Sequence, residues 1–235
     1  MLTWNASEPT PKPMIIKTLL KNCRMRQFNR GAVLIHEHER SDVLYYLLLG
    51  TLHVSVHCES TNQEVVISQV EEGEFVGELG LFRQATCYNR GASVRAAGHV
   101  SVAEITHRQF YLAAREDPRL LDVVTAQIVE RLNHSNRLIG ELTFDTVTSR
   151  LIKTLVRLCD GPHAKRIKGV GVQLQISRQM LSKLIGATRE RTSKCLDRIE
   201  DEGLVKTCGR RILVLNTSRR FGRSTARLCA RRRRV

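Results

Sequence analysis

The sequence has no CxxC pair and no metal-ligand spacing, although it holds seven cysteines: Cys23, Cys58, Cys87, Cys159, Cys195, Cys208 and Cys229. An odd, scattered set speaks against a disulfide framework or a zinc module. It fits small apolar side chains in a reducing compartment. There is also no long hydrophobic run. The longest, Val43–Leu49, has seven residues, whereas a membrane-spanning helix takes about twenty. With no signal-peptide pattern at the start, the expectation is a cytoplasmic protein without a membrane partner. The C-terminal half lacks a recognisable nucleophile, metal or phosphate-transfer motif, which argues against an enzyme. Acidic residues are scarce there too. Residues 151–235 hold six Asp/Glu against twenty-two Lys/Arg, while residues 1–150 hold seventeen against sixteen.

The net charge of +15 therefore belongs to the second part, which is expected to meet a polyanion, while the first part is an ordinary soluble domain. Eight of the C-terminal cations are arginines of the last eighteen residues. That tail, from Ser218, has no apolar periodicity and is expected to be disordered, adding at most non-specific phosphate contacts. The 235 residues suffice for one large domain or two modest ones.

Residues 1–14 are polar, with Pro9, Pro11 and Pro13, and a short helix is expected to begin at Ile15. From Arg24 to about Ile105 the chain reads as short apolar runs broken by Gly31, Gly50, Gly73 and Gly91. Leu52, Val54 and Val56 alternate with His53 and Ser55, a period of two that marks a half-buried strand. The pattern predicts a compact β-roll. Helical character starts near His107. After Pro118 the positions Leu121, Val124, Ile128, Leu132, Ser135, Ile139 and Leu142 follow a 3-4 alternation, the mark of a long helix pairing with another, plausibly its own copy.

Within the roll, GEFVGELGLFRQATCYNRGASVRA (residues 73–96) combines a turn at Gly77, Glu78, Leu79 and Gly80 with Arg90, Gly91 and Ala92. Glycines let a backbone approach a ligand closely, N–H groups at the start of a helix favour an anion, and Arg90 offers forked donors to phosphate oxygens. Glu78 would repel phosphate but accept from a sugar hydroxyl. The combination reads as a nucleotide pocket, against the plainer reading that these glycines only serve hairpin turns. Ser135 and Asn136 interrupt the apolar seam, either setting register or reaching a ligand between roll and helix.

A helix is expected over Ser149–Cys159, a basic loop over Lys165–Gly169, and an alternating strand over Val172–Ile176. Then comes SRQMLSKLIGATRERTSKCLDRIEDEGL. Ser177 is an N-cap for a helix with Leu181, Leu184 and Ile185 inward, Gly186 turns the chain, and Thr188 caps a second helix with Thr192, Cys195, Leu196 and Ile199 inward. Two capped helices around a glycine turn match a helix-turn-helix. Arg189, Glu190, Arg191, Ser193 and Lys194 are left on the opposite, early face, where Arg or Lys can take the acceptors of guanine and Glu the amino group of cytosine. Leu204–Thr207 and Ile212–Leu215 read as a two-stranded wing.

These residues, with LYYLLLG at 44–50, GEFVGELGLF at 73–82, VRA at 94–96 and VAEI at 102–105, resemble the cyclic-AMP receptor protein family over about residues 15–217. The resemblance implies an α+β chain: an N-terminal double-stranded β-helix (a jelly-roll-like cyclic-nucleotide-binding domain, 15–117), a long dimerisation helix and hinge (118–145), and a C-terminal winged helix-turn-helix (146–217), followed by the basic tail (218–235). It implies a homodimeric transcription regulator that binds a palindromic promoter site in double-stranded DNA, recruits RNA polymerase and answers to cyclic AMP, with no metal. By resemblance, Glu78 holds the ribose hydroxyl, while Arg90 with the backbone of Gly91 and Ala92 holds the cyclic phosphate. Val54 and Ile67 line the pocket, and Ser135 and Asn136 approach the bases of the two protomers. Arg189, Glu190 and Lys194 read base edges, Arg178 and Gln179 position the helix, and Arg24 and Arg26 touch polymerase. Five departures stand out: Gly91 where the cyclic-AMP binder has serine, Asn136 for a hydroxyl residue, Asp145-Thr146 at the hinge for the usual leucine-aspartate, Lys194 for an arginine, and a loop before Arg90 two residues longer. They leave cyclic di-GMP or ligand-free activity as alternatives, alongside a weakly specific architectural DNA-binding protein.

Overall fold

The computed structural model describes residues 16–17, 19–21, 23–60, 62–82, 89–161 and 164–215. The N-terminal proline-rich segment, the loop before Arg90 and the arginine tail lie outside the described residues. The chain forms two compact units. The first takes the described residues up to Val56 together with Ile67–Ser135; the second takes His57–Val66 together with those from Asn136 onward.

The first unit is the expected roll. Strands β1 (Arg24–Phe28), β2 (Val33–Ile35), β3 (Val43–Leu49), β4 (Leu52–Cys58), β5 (Gln63–Val70), β6 (Phe75–Val76), β7 (Ser93–Ala96) and β8 (Val100–Thr106) build two four-stranded sheets. Their orders are β1-β8-β3-β6 and β2-β7-β4-β5. The unbroken apolar run of β3 has a structural reason: it is covered on both faces. Tyr45 and Leu47 enter the core between the sheets with Leu52, Val70, Val94 and Val102. Leu44 enters a second core with Phe75, Ile105, Phe110, Leu120 and Val124. Each fully buried Leu or Phe contributes roughly 1.5–3 kcal/mol by leaving water. Phe75 joins the sheet to the helices, its ring 4.9 Å from Tyr46 and edge-on to Phe110 at 6.0 Å.

Helix α1 (His107–Glu116) starts with a capping box, Thr106 Oγ1 accepting from Gln109 N at 3.2 Å and Gln109 Oε1 from Thr106 N at 2.8 Å. Helix α2 (Arg119–Phe144) is 26 residues long, about 39 Å at 1.5 Å per residue. Its first nine residues bury Leu120, Val123, Val124 and Gln127, and no later residue of the helix is buried. Val129, Leu132, Ile139 and Phe144 are exposed, Leu132 by 59% and Ile139 by 61%. The seam expected from sequence is corrected here. Val124 faces the roll, and the outward stripe is Thr125, Val129, Leu132, Asn136, Ile139 and Thr143, again at spacings of four and three.

In the second unit, α3 (Val147–Cys159), α4 (Arg178–Ile185) and α5 (Arg189–Asp201) pack on a sheet of order β11-β12-β10-β9. Its strands are β9 (Lys165–Ile167), β10 (Gly171–Gln175), β11 (Val205–Cys208) and β12 (Arg211–Leu215). The basic segment read as a loop is thus partly an edge strand. Leu151, Leu155, Leu181, Ile185, Leu196, Ile199, Val205 and Val214 form the core. Arg150 is buried within this unit. Its Nε donates to Ile185 O at 2.8 Å, and its Nη atoms reach the carbonyls of Leu142, Asp145 and Gly186 at 3.3–3.4 Å. Burial pulls this guanidinium below its ordinary value, with Asp145 opposing. The tip of the β4–β5 hairpin also belongs to the second unit, where Glu64 pairs with Lys183 of α4.

Candidate functional site

Strand β6 ends at Val76, and Gly77 turns the chain at φ 85° into a 3₁₀ segment, Glu78–Phe82. At five residues the segment has little dipole, so attraction for an anion rests on Arg90 rather than on a helix terminus. Arg90 is held through its own backbone: its N–H donates to Glu39 O at 2.9 Å and its carbonyl accepts from His38 N at 2.8 Å. The side chain turns inward and is only 7% exposed. Nη1 donates to Gly77 O at 2.8 Å and Nη2 to Val43 O, while Nε is buried without a partner among the described residues. Gly77 is favoured here by its left-handed φ of 85°, and a Cβ would stand 2.7 Å from Nη1 and 3.2 Å from Ile35 Cδ1. Burial lowers the Arg90 pKa from its ordinary value, with Tyr45, Glu39, Glu78 and Asp42 opposing, and a guanidinium stays cationic regardless.

Glu78 is buried, and its carboxylate is not idle. Oε1 accepts from Arg131 Nη1 at 2.6 Å, and Arg131 Nη2 donates to the carbonyl of Phe75. Beyond Arg90, Gly91 is exposed and Ala92 half-buried as the chain enters β7; Leu79 is exposed; Val54 on β4 and Ile67 on β5 are half-buried. Ser135, half-buried, closes the first unit on α2, and Asn136, exposed, opens the second.

At the far edge of the roll, Arg24 is exposed. Arg26 donates to Glu104 at 2.7 Å and lies 4.9 Å above the Phe28 ring, so its charge is largely answered within the fold.

In the second unit, Ser177 accepts from Met180 N at 3.1 Å and Thr188 from Arg191 N at 3.2 Å, so both caps hold as the sequence requires. Gly186 ends α4 in the left-handed region at φ 59°. Thr192, Leu196 and Ile199 face inward, leaving Arg189, Glu190, Arg191 and Lys194 exposed on the early turns of α5. Gln179 is exposed, and Arg178 is drawn onto α5 by Asp197 at 3.2 Å. Beside them the β11–β12 hairpin carries Lys206, Arg210 and Arg211, all exposed. Among the described residues no His/Cys/Asp/Glu cluster could hold a metal ion, and no helix is long and apolar enough to cross a membrane. Burial pushes the Cys159 thiol up to about 11, so it is inert as a nucleophile.

The geometry of both units has counterparts in known proteins. A cyclic nucleotide-binding domain model matches residues 25–117, and a Crp-like helix-turn-helix domain model matches residues 149–219. The chain is 33% identical over 209 residues to the cAMP-activated global transcriptional regulator CRP of Escherichia coli O6:H1, covering 88% of this chain and 98% of that one. It is 31% identical over 209 residues to the cAMP-activated global transcriptional regulator Vfr of Pseudomonas aeruginosa, covering 88% and 97%. The chain belongs to the cyclic-AMP receptor protein (CRP) family. Among solved structures it is similar to the c-di-GMP responsive global regulator CLP of Xanthomonas campestris, with a TM-score of 0.81, 27% identity, and coverage of 86% of this chain and 99% of that one. As a CRP-family protein it is a DNA-binding transcription regulator carrying a cyclic-nucleotide-binding domain, and not an enzyme.

Two residues beside the Gly77–Gly80 turn escaped the reading of the sequence. Arg131 is one arginine among several on a charged helix, yet a glutamate set in the apolar turn VGELGLF demands a buried counter-charge, and that demand was the available signal. His107 had no local signal. It is the first residue of α1 and buried. A Cβ on Gly80 would lie 2.8 Å from its Cε1 and 3.1 Å from its Nε2.

Proposed function

We propose that this regulator works as a homodimer whose sequence-specific DNA binding is controlled by a cyclic nucleotide, cyclic AMP in the first instance. The observation that carries the reading is the buried Arg90 guanidinium beneath the Gly77–Gly80 turn, with Nε unpartnered. An unmade donor on a buried cation is costly unless an acceptor arrives, and a cyclic phosphate is such an acceptor. In this reading Arg90, Gly91 and Ala92 hold the phosphate. Glu78, oriented by Arg131, accepts from the ribose hydroxyl. Leu79, Val54 and Ile67 line the pocket, and Ser135 and Asn136 meet the base.

The outward stripe Val129, Leu132, Asn136 and Ile139 supports pairing of α2 with its copy. Ligand binding biases that pairing, which sets two recognition helices one turn of DNA apart on a palindromic site. Arg189, Glu190 and Lys194 read bases; Arg178, Gln179, Thr188 and Arg191 fix the helix on the phosphates; Arg24, with Arg26, meets RNA polymerase. The roll (15–117), the long helix (118–145) and the winged module (146–217) are the functional divisions, and the cytoplasm is the compartment.

The likeness to CLP, together with Gly91 in the phosphate site, supports cyclic di-GMP as a second ligand reading. Calorimetric titration with cyclic AMP, cyclic GMP and cyclic di-GMP tests both. Cyclic AMP is expected to bind, and Arg90→Leu to weaken it about 10- to 100-fold, the worth of one or two charge-assisted hydrogen bonds. Unchanged affinity in Arg90→Leu would remove Arg90 from the pocket.

A further inference from the structure

The Gly77–Gly80 turn rests on two nitrogen-bearing side chains from different parts of the fold. Around the position a Gly80 Cβ would take, His107 Cε1 and Nε2 lie at 2.8 and 3.1 Å, and Arg90 Nη1 lies at 3.8 Å. A Cβ at Gly80 would require the imidazole or the turn to shift. His107 is anchored from behind, its N–H donating to Asp42 O at 2.7 Å, and it opens α1, which the Thr106 capping box holds rigid.

We propose that His107 is a proton-linked positioning residue of this anion site, taking up a proton when a phosphate anion settles on Arg90. The inference rests on the reading of the pocket given above. Without ligand, three influences disfavour the imidazolium: burial of the ring, the positive charge of Arg90, and the helix N-terminus on which it sits. Asp42 opposes them, while Tyr45, Glu39 and Glu78 act on Arg90 itself. The first two hold the His107 pKa below its ordinary value, so the ring is neutral near pH 7. A bound phosphodiester cancels the Arg90 field and raises that pKa.

The sign follows. Between the two values the complex holds a proton that the free protein lacks, so affinity rises as pH falls through this window and is flat above it. Arg90 does not titrate there, and a cyclic phosphodiester stays a monoanion throughout. Proton uptake also draws the turn onto a second cation, tightening the contact that Gly80 permits.

The test is calorimetric titration of the full-length protein with cyclic AMP from about pH 5.5 to 8, the range in which an imidazole titrates, in two buffers of different ionisation enthalpy. The expected result is uptake of a fraction of a proton near pH 6–7 and affinity rising several-fold between the ends of the range. His107→Gln should bind with the wild-type high-pH affinity, without pH slope or buffer dependence. Asp42→Asn keeps the carbonyl that anchors His107, and should move the uptake to lower pH. Cyclic AMP binding without proton uptake, an unchanged slope in His107→Gln, or an unmoved window in Asp42→Asn would each overturn the role of His107 and leave the pocket standing. No binding of cyclic AMP at any pH would overturn both.

Discussion

Both units are equipped with arginine and glutamate, and their candidate sites use them in opposite ways, although the second unit also buries Arg150 away from its exposed face. In the first unit Arg90, Glu78 and Arg131 are drawn into the fold, each satisfied largely by a neighbouring side chain or carbonyl. In the second, Arg189, Glu190, Arg191 and Lys194 stand in solvent on a helix whose stability comes from its Thr188 cap and its apolar inner face. A buried charge is part of the architecture, and its removal leaves an uncompensated partner. An exposed charge costs the fold little, so it is available to a polyanion. In the proposed reading, the difference separates residues that shape a sensing site from residues that read a target.

The contrast is most severely tested by Glu78→Ala. With Arg131 left behind and largely shielded from water, unfolding stability should fall by about 3 kcal/mol, whereas Glu190→Ala should stay within about 0.5 kcal/mol of the wild type. Chemical denaturation of both variants measures this, and equal losses would erase the distinction. A smaller effect is expected at the target. Glu190→Ala should relax preference at one base pair by roughly 1–3 kcal/mol while leaving the salt slope of binding unchanged. Competition binding against variant sites checks it; a uniform loss across sequences would assign Glu190 to the backbone. The smallest effect belongs to the intermediate case. Arg178 and Asp197 form an exposed pair at 3.2 Å, so Asp197→Ala should cost less than about 1 kcal/mol of stability, and freeing Arg178 for phosphate should leave non-specific affinity equal or higher.

Much of this architecture was legible because local chemistry and tertiary packing agree. Ser177, Thr188 and Gly186 announce the helix-turn-helix through caps and a left-handed turn, and the structure uses each of them so. The apolar run of β3 survives as a strand because both its faces are covered. Where the signal failed, two environments overlap in one stretch. Helix α2 buries one stripe on the roll through Gln127 and exposes another beyond it, so a single 3-4 pattern drawn along its length cuts across both. Strand β9 is basic because its edge meets solvent, and composition alone makes it a loop. Phe75–Val76 is two residues long, below the reach of any periodicity. The Glu78–Arg131 pair spans 53 positions and the approach of His107 to Gly80 depends on tertiary placement, so neither has a local pattern to betray it.

The joint at the end of α2 adds a consequence for ionic strength. Arg150 holds Leu142 and Asp145 on one side and Ile185 and Gly186 on the other through carbonyl oxygens, while itself buried. Mobile ions screen exposed charges within a Debye length, but they have no access to a guanidinium enclosed by backbone dipoles. In the proposed reading, salt that strips DNA from Arg189 and Lys194 leaves this joint intact. The proposed grip on nucleic acid and the connection behind it then respond to different properties of the solution.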